Sequence, residues 1–228
     1  LQTGNQKRNS NNPEIHSMHP TPRPHDLLWG LRPEHLPQEA PAWARAALGG
    51  HVPVVVRRAP AESGWVAVGI RGVAREQRYA TWMRVSEISR LVSPQAVARA
   101  GRWRSHAQPH WPALRALSLL APRLDALGLA WGVTGSLGFE LASGISAAHP
   151  DSDLDLSLRA SQQLPRDWAR ALCGVLDEAP GRIDLQLETP YGAVALREWA
   201  SEAPRVLLKT QNGPLLVGDP WHLQQVAA

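Results

Sequence analysis

The chain has 228 residues, 43% of them apolar and 19% charged, with a formal net charge of +4. That length is ample for a buried core in one large domain or two modest ones. No apolar run approaches the roughly 20 residues that cross a bilayer, no secretory segment is visible, and the single Cys173 excludes an internal disulfide framework, so a cytoplasmic protein with no membrane contact is expected.

The charge is unevenly placed. Residues 18–105 carry 13 Arg against 6 Asp or Glu, whereas residues 106–228 carry 9 Lys or Arg against 13 acids. A basic half beside an acidic half suggests that one receives polyanions and the other holds cations. The competing reading is Arg used in place of Lys, since Lys7 and Lys209 are the only lysines. Residues 1–17 are rich in Asn, Gln and Ser and read as a disordered leader, with Met18 as the natural start. The expected division is a leader (1–17), a basic N-terminal domain that binds substrate or partner (18–105) and a catalytic domain (106–228).

From Pro20 to Pro41 the dense prolines predict short helical pieces and an extended wrap, with Asp26-Leu27-Leu28-Trp29 as an anchor. The Val-rich runs His51–Arg58 and Trp65–Arg71 predict an antiparallel pair. Helix is expected over Arg75–Val85 and again over Ser86–Ala100, restarting at Ser93-Pro94. Arg102–Pro112 reads as the connection between domains. His106 and His110 stand four apart, but Pro109 argues against a helix that would turn both toward one zinc ion.

Leu114, Leu117, Leu120, Ala121, Leu124 and Leu127 predict a helix ended by Gly128. A strand from Trp131 then enters Gly135-Ser136, a short helix follows, and a second strand carries Asp153 and Asp155. Side chains two apart on a strand share a face, so these carboxylates project together while Leu154, Leu156 and Leu158 bury behind them. A helix over Arg166–Glu178 leads to a third strand, where Ile183, Leu185 and Leu187 alternate with Asp184, Gln186 and Glu188. Two last strands flank the turn Asn212-Gly213-Pro214.

If the two acidic strands are neighbours, Asp153, Asp155 and Asp184 converge, and three crowded acids resist ionisation unless a cation sits among them. Mg²⁺ suits carboxylate and phosphate oxygens, with Mn²⁺ as an alternative, and two such ions can clamp an in-line phosphoryl displacement. Gly135 lets backbone approach a phosphate, and Ser136 adds a donor at the start of a helix. Asp151 belongs to the turn before the strand. A dinucleotide fold is excluded because G-x-G-x-x-G is missing, and a short-chain dehydrogenase because Met83 and Ala195 stand four past Tyr79 and Tyr191. Ser136 does not sit in G-x-S-x-G, which excludes a hydrolase elbow.

The order strand, Gly-Ser, helix, D-x-D strand, helix, D strand resembles the nucleotidyltransferase superfamily. More closely, T-G-S-L-G-F-E-L-A-S-G followed by D-S-D-L-D-L-S-L-R is similar to the malonate decarboxylase holo-acyl-carrier-protein synthase family, the phosphoribosyl-dephospho-CoA transferases. P-R-P-H-D-L-L-W at Pro22–Trp29, V-V-R-R at Val55–Arg58 and V-L-L-K-T-Q-N-G-P-L-L-V-G-D-P-W at Val206–Trp221 extend the resemblance along the chain. It implies an α+β protein: a nucleotidyltransferase-fold C-terminal domain, with a mixed sheet and flanking helices, after a smaller α+β N-terminal domain. It also implies transfer of 2'-(5''-triphosphoribosyl)-3'-dephospho-CoA to a serine of the acyl-carrier subunit of malonate decarboxylase, with pyrophosphate released and no nucleic acid involved.

On that reading Asp153 and Asp155 bind metal, Asp184 completes the cluster and helps remove the serine proton, and Gly135 and Ser136 hold the β and γ phosphates. Arg159 reaches phosphate or pairs with an acid, and Lys209 contacts phosphate or lies on the surface. Arg57, Arg58, Arg71, Arg75 and Arg78 form a basic surface for either the dephospho-CoA portion or the carrier. Trp82 and Trp103 are stacking partners for adenine or core residues. The same fold could nucleotidylate another hydroxyl, or serve as a non-catalytic module binding RNA or protein, although three clustered acids count against the latter.

Overall fold

Valine-rich segments build the first of two sheets. In the computed structural model, which describes residues 21–74 and 76–223, β1 (Leu27–Trp29), β2 (Val54–Val56), β3 (Trp65–Arg71), β4 (Arg78–Arg84) and β5 (Arg90–Val92) assemble antiparallel in the order β4-β3-β2-β1-β5. The expected leader (1–17) and Arg75 lie outside the described residues. The antiparallel Val-rich pair is β2 with β3, Val55 opposite Gly69. One face of this sheet buries Leu28, Val54, Val56, Val68, Ile70 and Met83 against α1 (Ala42–Leu48). Side chains on the other face point toward the second domain.

One helical expectation fails here and a second holds only from its restart at Ser93-Pro94. No helix covers residues 76–84, where β4 runs instead: Tyr79, Thr81 and Met83 turn toward the small core while Arg78, Ala80, Trp82 and Arg84 are exposed. The period of two is masked because Ala80 and Trp82 put apolar residues on the outer face as well. Within Ser86–Ala100, a 3-10 turn (Val85–Glu87) and then β5 come first, and only α2 (Pro94–Ala100) is an α-helix. Ser93 caps it, its Oγ accepting from the Ala96 N–H at 3.2 Å. The proline-rich approach supplies β1, an interior strand whose Leu27 enters the larger core and Leu28 the smaller one.

The second half follows its hydrophobic periodicity closely. After α3 (Pro112–Asp125) come β6 (Trp131–Val133), α4 (Gly135–Ser143), β7 (Leu154–Arg159), α5 (Arg166–Asp177), β8 (Ile183–Thr189), β9 (Gly192–Ala195), α6 (Leu196–Ala200), β10 (Val206–Thr210) and β11 (Gly213–Val217). The sheet order is β11-β10-β9-β8-β7-β6. It is mixed: β7 and β8 run parallel, joined by α5 as the crossover, and the other pairs are antiparallel. β9 and α6 were not expected, being too short to show a period. Leu154, Leu156 and Leu158 are at most 1% exposed and share their core with Leu114, Leu117, Leu120 and Leu124 of α3.

Register places the polar side chains. Asp155 lies directly opposite Asp184, Ser157 opposite Gln186, and Arg159 opposite Glu188, so one face of the β7–β8 pair is polar along its length. The N-terminal domain lies over that face. Arg58 donates to both carboxylate oxygens of Glu188 at 2.8 and 2.6 Å, and Arg159 donates to Gln95 Oε1 at 3.2 Å. α2 packs on β6, and Arg71 donates to the Ala147 carbonyl at 2.9 Å. The result is an α+β protein whose N-terminal domain roofs the acidic strands of its C-terminal domain.

Candidate active site

A cleft of about 870 Å³ opens where the roof stands away from the sheet. Its C-terminal wall carries Gly135, Ser136, Ser152, Asp153 and Asp155, and its N-terminal wall carries Arg57, Arg71 and Arg78. α4 begins at Gly135, so the open N–H groups of its first turn lie on the same wall as the two carboxylates.

The contact between Gly135 and Asp155 is very close. Gly135 has φ +63°, and a β-carbon built there would lie 1.8 Å from Asp155 Oδ2. Only glycine lets the helix start against that carboxylate. The Thr134 N–H donates to the Asp155 carbonyl at 2.9 Å, which fixes the helix start to the strand. Ser136 Oγ stands 3.4 Å from Ser152 Oγ.

Burial pushes the Asp155 carboxyl up to about 6, and the neighbouring Asp184 and Asp153 push in the same direction. Arg182 opposes them and pairs with Asp153 at 2.5 Å. Asp184 is exposed and does not line the cleft, although it stands opposite Asp155 on the next strand. Among the described residues no group of three or more His, Cys, Asp or Glu is gathered closely enough to hold a metal alone. The site nevertheless fits Mg²⁺, which takes one or two carboxylates together with phosphate oxygens and water. The donors are all oxygen, and burial together with Asp184 and Asp153 raises the proton affinity of Asp155, which a bound cation would offset.

Two expected phosphate contacts lie elsewhere. Arg159 shares a strand face with Asp155 but stands four residues along, about 13 Å at strand rise. It lines a second cleft of about 820 Å³ with Arg23 and Arg58. Lys209 is exposed on β10, three strands from β7, or about 14 Å at normal strand spacing. Of the tryptophans, Trp103 is core, 3% exposed and 6.4 Å from Trp131, whereas Trp82 is half exposed and donates to the Pro60 carbonyl.

Glu140 escaped the sequence reading. Its Oε2 accepts from the N–H groups of Ala147 and Ala148, both at 2.8 Å, and its Oε1 meets His106 Nε2 at 2.9 Å. Burial would raise this carboxyl, but those hydrogen bonds outweigh it and hold the group below its ordinary value. Glu140 thereby anchors the segment that runs from α4 to Asp153, and it takes up the histidine considered for zinc. An acid between buried Phe139 and Leu141 was the available signal. Glu140→Ala should destabilise the protein by about 1–2 kcal/mol, since two part-buried N–H groups lose their acceptor. Glu140→Gln should recover most of that loss in urea melts, because one oxygen accepts both bonds.

Residues 23–94 match the family model "Phosphoribosyl-dephospho-CoA transferase MdcG N-terminal domain", and residues 98–220 match the corresponding C-terminal domain. The chain belongs to the phosphoribosyl-dephospho-CoA transferase family. A phosphoribosyl-dephospho-CoA transferase of Pseudomonas putida (strain GB-1) is 56% identical over 207 residues, 91% of this chain and 98% of the relative. One from Pseudomonas aeruginosa is also 56% identical over 207 residues (91% and 97%), and one from Azotobacter vinelandii 52% over 218 residues (94% and 100%). No solved structure matches the chain significantly. Membership makes the protein a transferase, and both family domains contribute walls to the one cleft. Among the described residues no helix is long and apolar enough to cross a membrane.

Proposed function

We propose that the protein transfers 2'-(5''-triphosphoribosyl)-3'-dephospho-CoA to a serine of the apo acyl-carrier subunit of malonate decarboxylase, releasing pyrophosphate. What carries this reading is one cleft with a helix start and two carboxylates on one wall and arginines on the other, in a chain of the phosphoribosyl-dephospho-CoA transferase family. A triphosphate linked to a nucleotide matches that division of charge.

In the proposed step the serine oxygen bonds to the α-phosphorus. The bond from that phosphorus to its β-bridging oxygen breaks, and pyrophosphate leaves with the electron pair. Gly135 and Ser136 seat the β and γ phosphates on the first turn of α4. Asp153 and Asp155 hold Mg²⁺, or Mn²⁺ in its place, which when bound neutralises charge on the phosphates. Asp184, exposed beside Asp155 on the next strand and outside the cleft lining, is the third carboxylate and takes up the serine proton as the carrier approaches from the solvent side. No protein nucleophile is required, because positioning and charge neutralisation dominate phosphoryl transfer.

The test is to incubate the protein with the triphosphoribosyl donor, Mg²⁺ and apo carrier, then weigh the carrier intact. The expected gain equals one phosphoribosyl-dephospho-CoA. No gain with that donor, alongside a gain with ATP, would overturn the assignment in favour of nucleotidyl transfer.

A further inference from the structure

The roof of the cleft has a floor of its own. Val55, Gly69 and Ala80 lie directly opposite one another on β2, β3 and β4, forming a row of small or apolar residues on the face that looks into the cleft. Three strands at normal spacing make this row about 10 Å wide. The Arg57 stem lies across Gly69: a β-carbon there would meet Arg57 Cδ at 3.4 Å. One step along the same face, Arg71 stands directly opposite Arg78.

That arginine pair is unfavourable without a ligand, because like charges directly opposite on antiparallel strands repel. Burial and Arg78 both hold the Arg71 guanidinium below its ordinary proton affinity. Arg71 is also fixed in place, donating to the Ala147 carbonyl and lying 5.7 Å over the Phe139 ring. Arg78 folds back on the Gln77 carbonyl at 2.8 Å. A flat apolar strip beside paired guanidiniums suits a purine next to a diphosphate, since arginine both stacks on planar rings and binds phosphate oxygens in pairs. The cleft is of ligand size, and no folded domain fits within about 870 Å³.

We propose that this N-terminal face is the seat of the dephospho-CoA portion of the donor, with adenine on the Val55–Gly69–Ala80 row under Arg57 and the diphosphate at Arg71 and Arg78. The inference rests on the donor assigned above. It makes the N-terminal domain the donor-selecting domain and sends the carrier to the mouth of the cleft.

The experiment is calorimetric titration of the full chain with dephospho-CoA, with tripolyphosphate plus Mg²⁺, and with apo carrier. Ala80→Leu adds bulk on an exposed strand position and should leave the fold intact. It should weaken dephospho-CoA at least tenfold, with tripolyphosphate and carrier unchanged. Arg78→Ala should behave in the same way without adding bulk. Dephospho-CoA affinity in both variants equal to that of the parent protein, no dephospho-CoA binding by the parent, or a selective loss of carrier binding would each overturn the proposal. Failure of the reaction assignment looks different: the parent protein and variants bind dephospho-CoA as expected, yet the carrier gains no mass.

Discussion

Asp155→Asn should abolish transfer and, at the same time, raise the stability of the metal-free protein. The carboxyl is part of the cleft wall, and removing it should lower kcat by about 10³-fold or more, the scale of several kcal/mol of transition-state stabilisation. Its folded value near 6 lies above the ordinary 3.8, so the folded state favours the protonated acid. The sign follows directly. Stability from this group is fully present below about 3.8, falls as pH rises, and is lost above about 6. At pH 7.5 the ionised group therefore opposes folding by about 1–3 kcal/mol, and asparagine removes that opposition. Melting in EDTA should show the variant several degrees above the parent protein at pH 7.5, with the gap narrowing toward pH 4. Adding Mg²⁺ should raise the parent's melting temperature and leave the variant's unchanged. A variant that melts lower than the parent at pH 7.5 in EDTA would show that Asp155 is not under repulsion.

Gly135→Ala is the second large effect, and it acts on fold and site together. Alanine must adopt φ +63°, and its β-carbon would overlap the Asp155 carboxylate. The left-handed backbone and the overlap together should cost about 2–4 kcal/mol, and displacement of the helix start should reduce transfer by about 10²-fold or more. Gly144→Ala is the internal control: it has φ +75° but nothing within 4 Å of the added carbon. It should lose only the backbone contribution, about 1 kcal/mol. Combining Gly135→Ala with Asp155→Ala should restore part of the lost stability, as contacting residues couple. Strictly additive urea midpoints would contradict the contact between them.

Much of the C-terminal site was readable because its elements are strongly periodic. Leu154, Leu156 and Leu158 bury one face of β7, which commits Asp155 to the other, and the same logic places Asp184 on β8. Gly135 and Ser136 were readable as a strand-to-helix junction. The N-terminal half was harder to read. β4 places Trp82 and Ala80 outward and its sequence reads as helical, since burial of one face leaves no clean alternation when the other face is also apolar. Glu140 was missed because its partners, His106, Ala147 and Ala148, are brought to it by a helix end and a loop rather than by any spacing.

Local residue order was enough for the family motifs, the acidic strand faces and the glycine that starts α4, because strand period and backbone sterics act over a few neighbours. Which cations share a cleft with those acids was decided by packing. Arg57, Arg71 and Arg78 line the carboxylate cleft, while Arg159 and Lys209, closer to the acidic motif in sequence, do not. The separation follows from strand rise along β7 and strand count across the sheet, together with a roof that a different domain lays over it. Register and domain docking depend on contacts between residues far apart in the chain, so they cannot be read from a stretch of sequence.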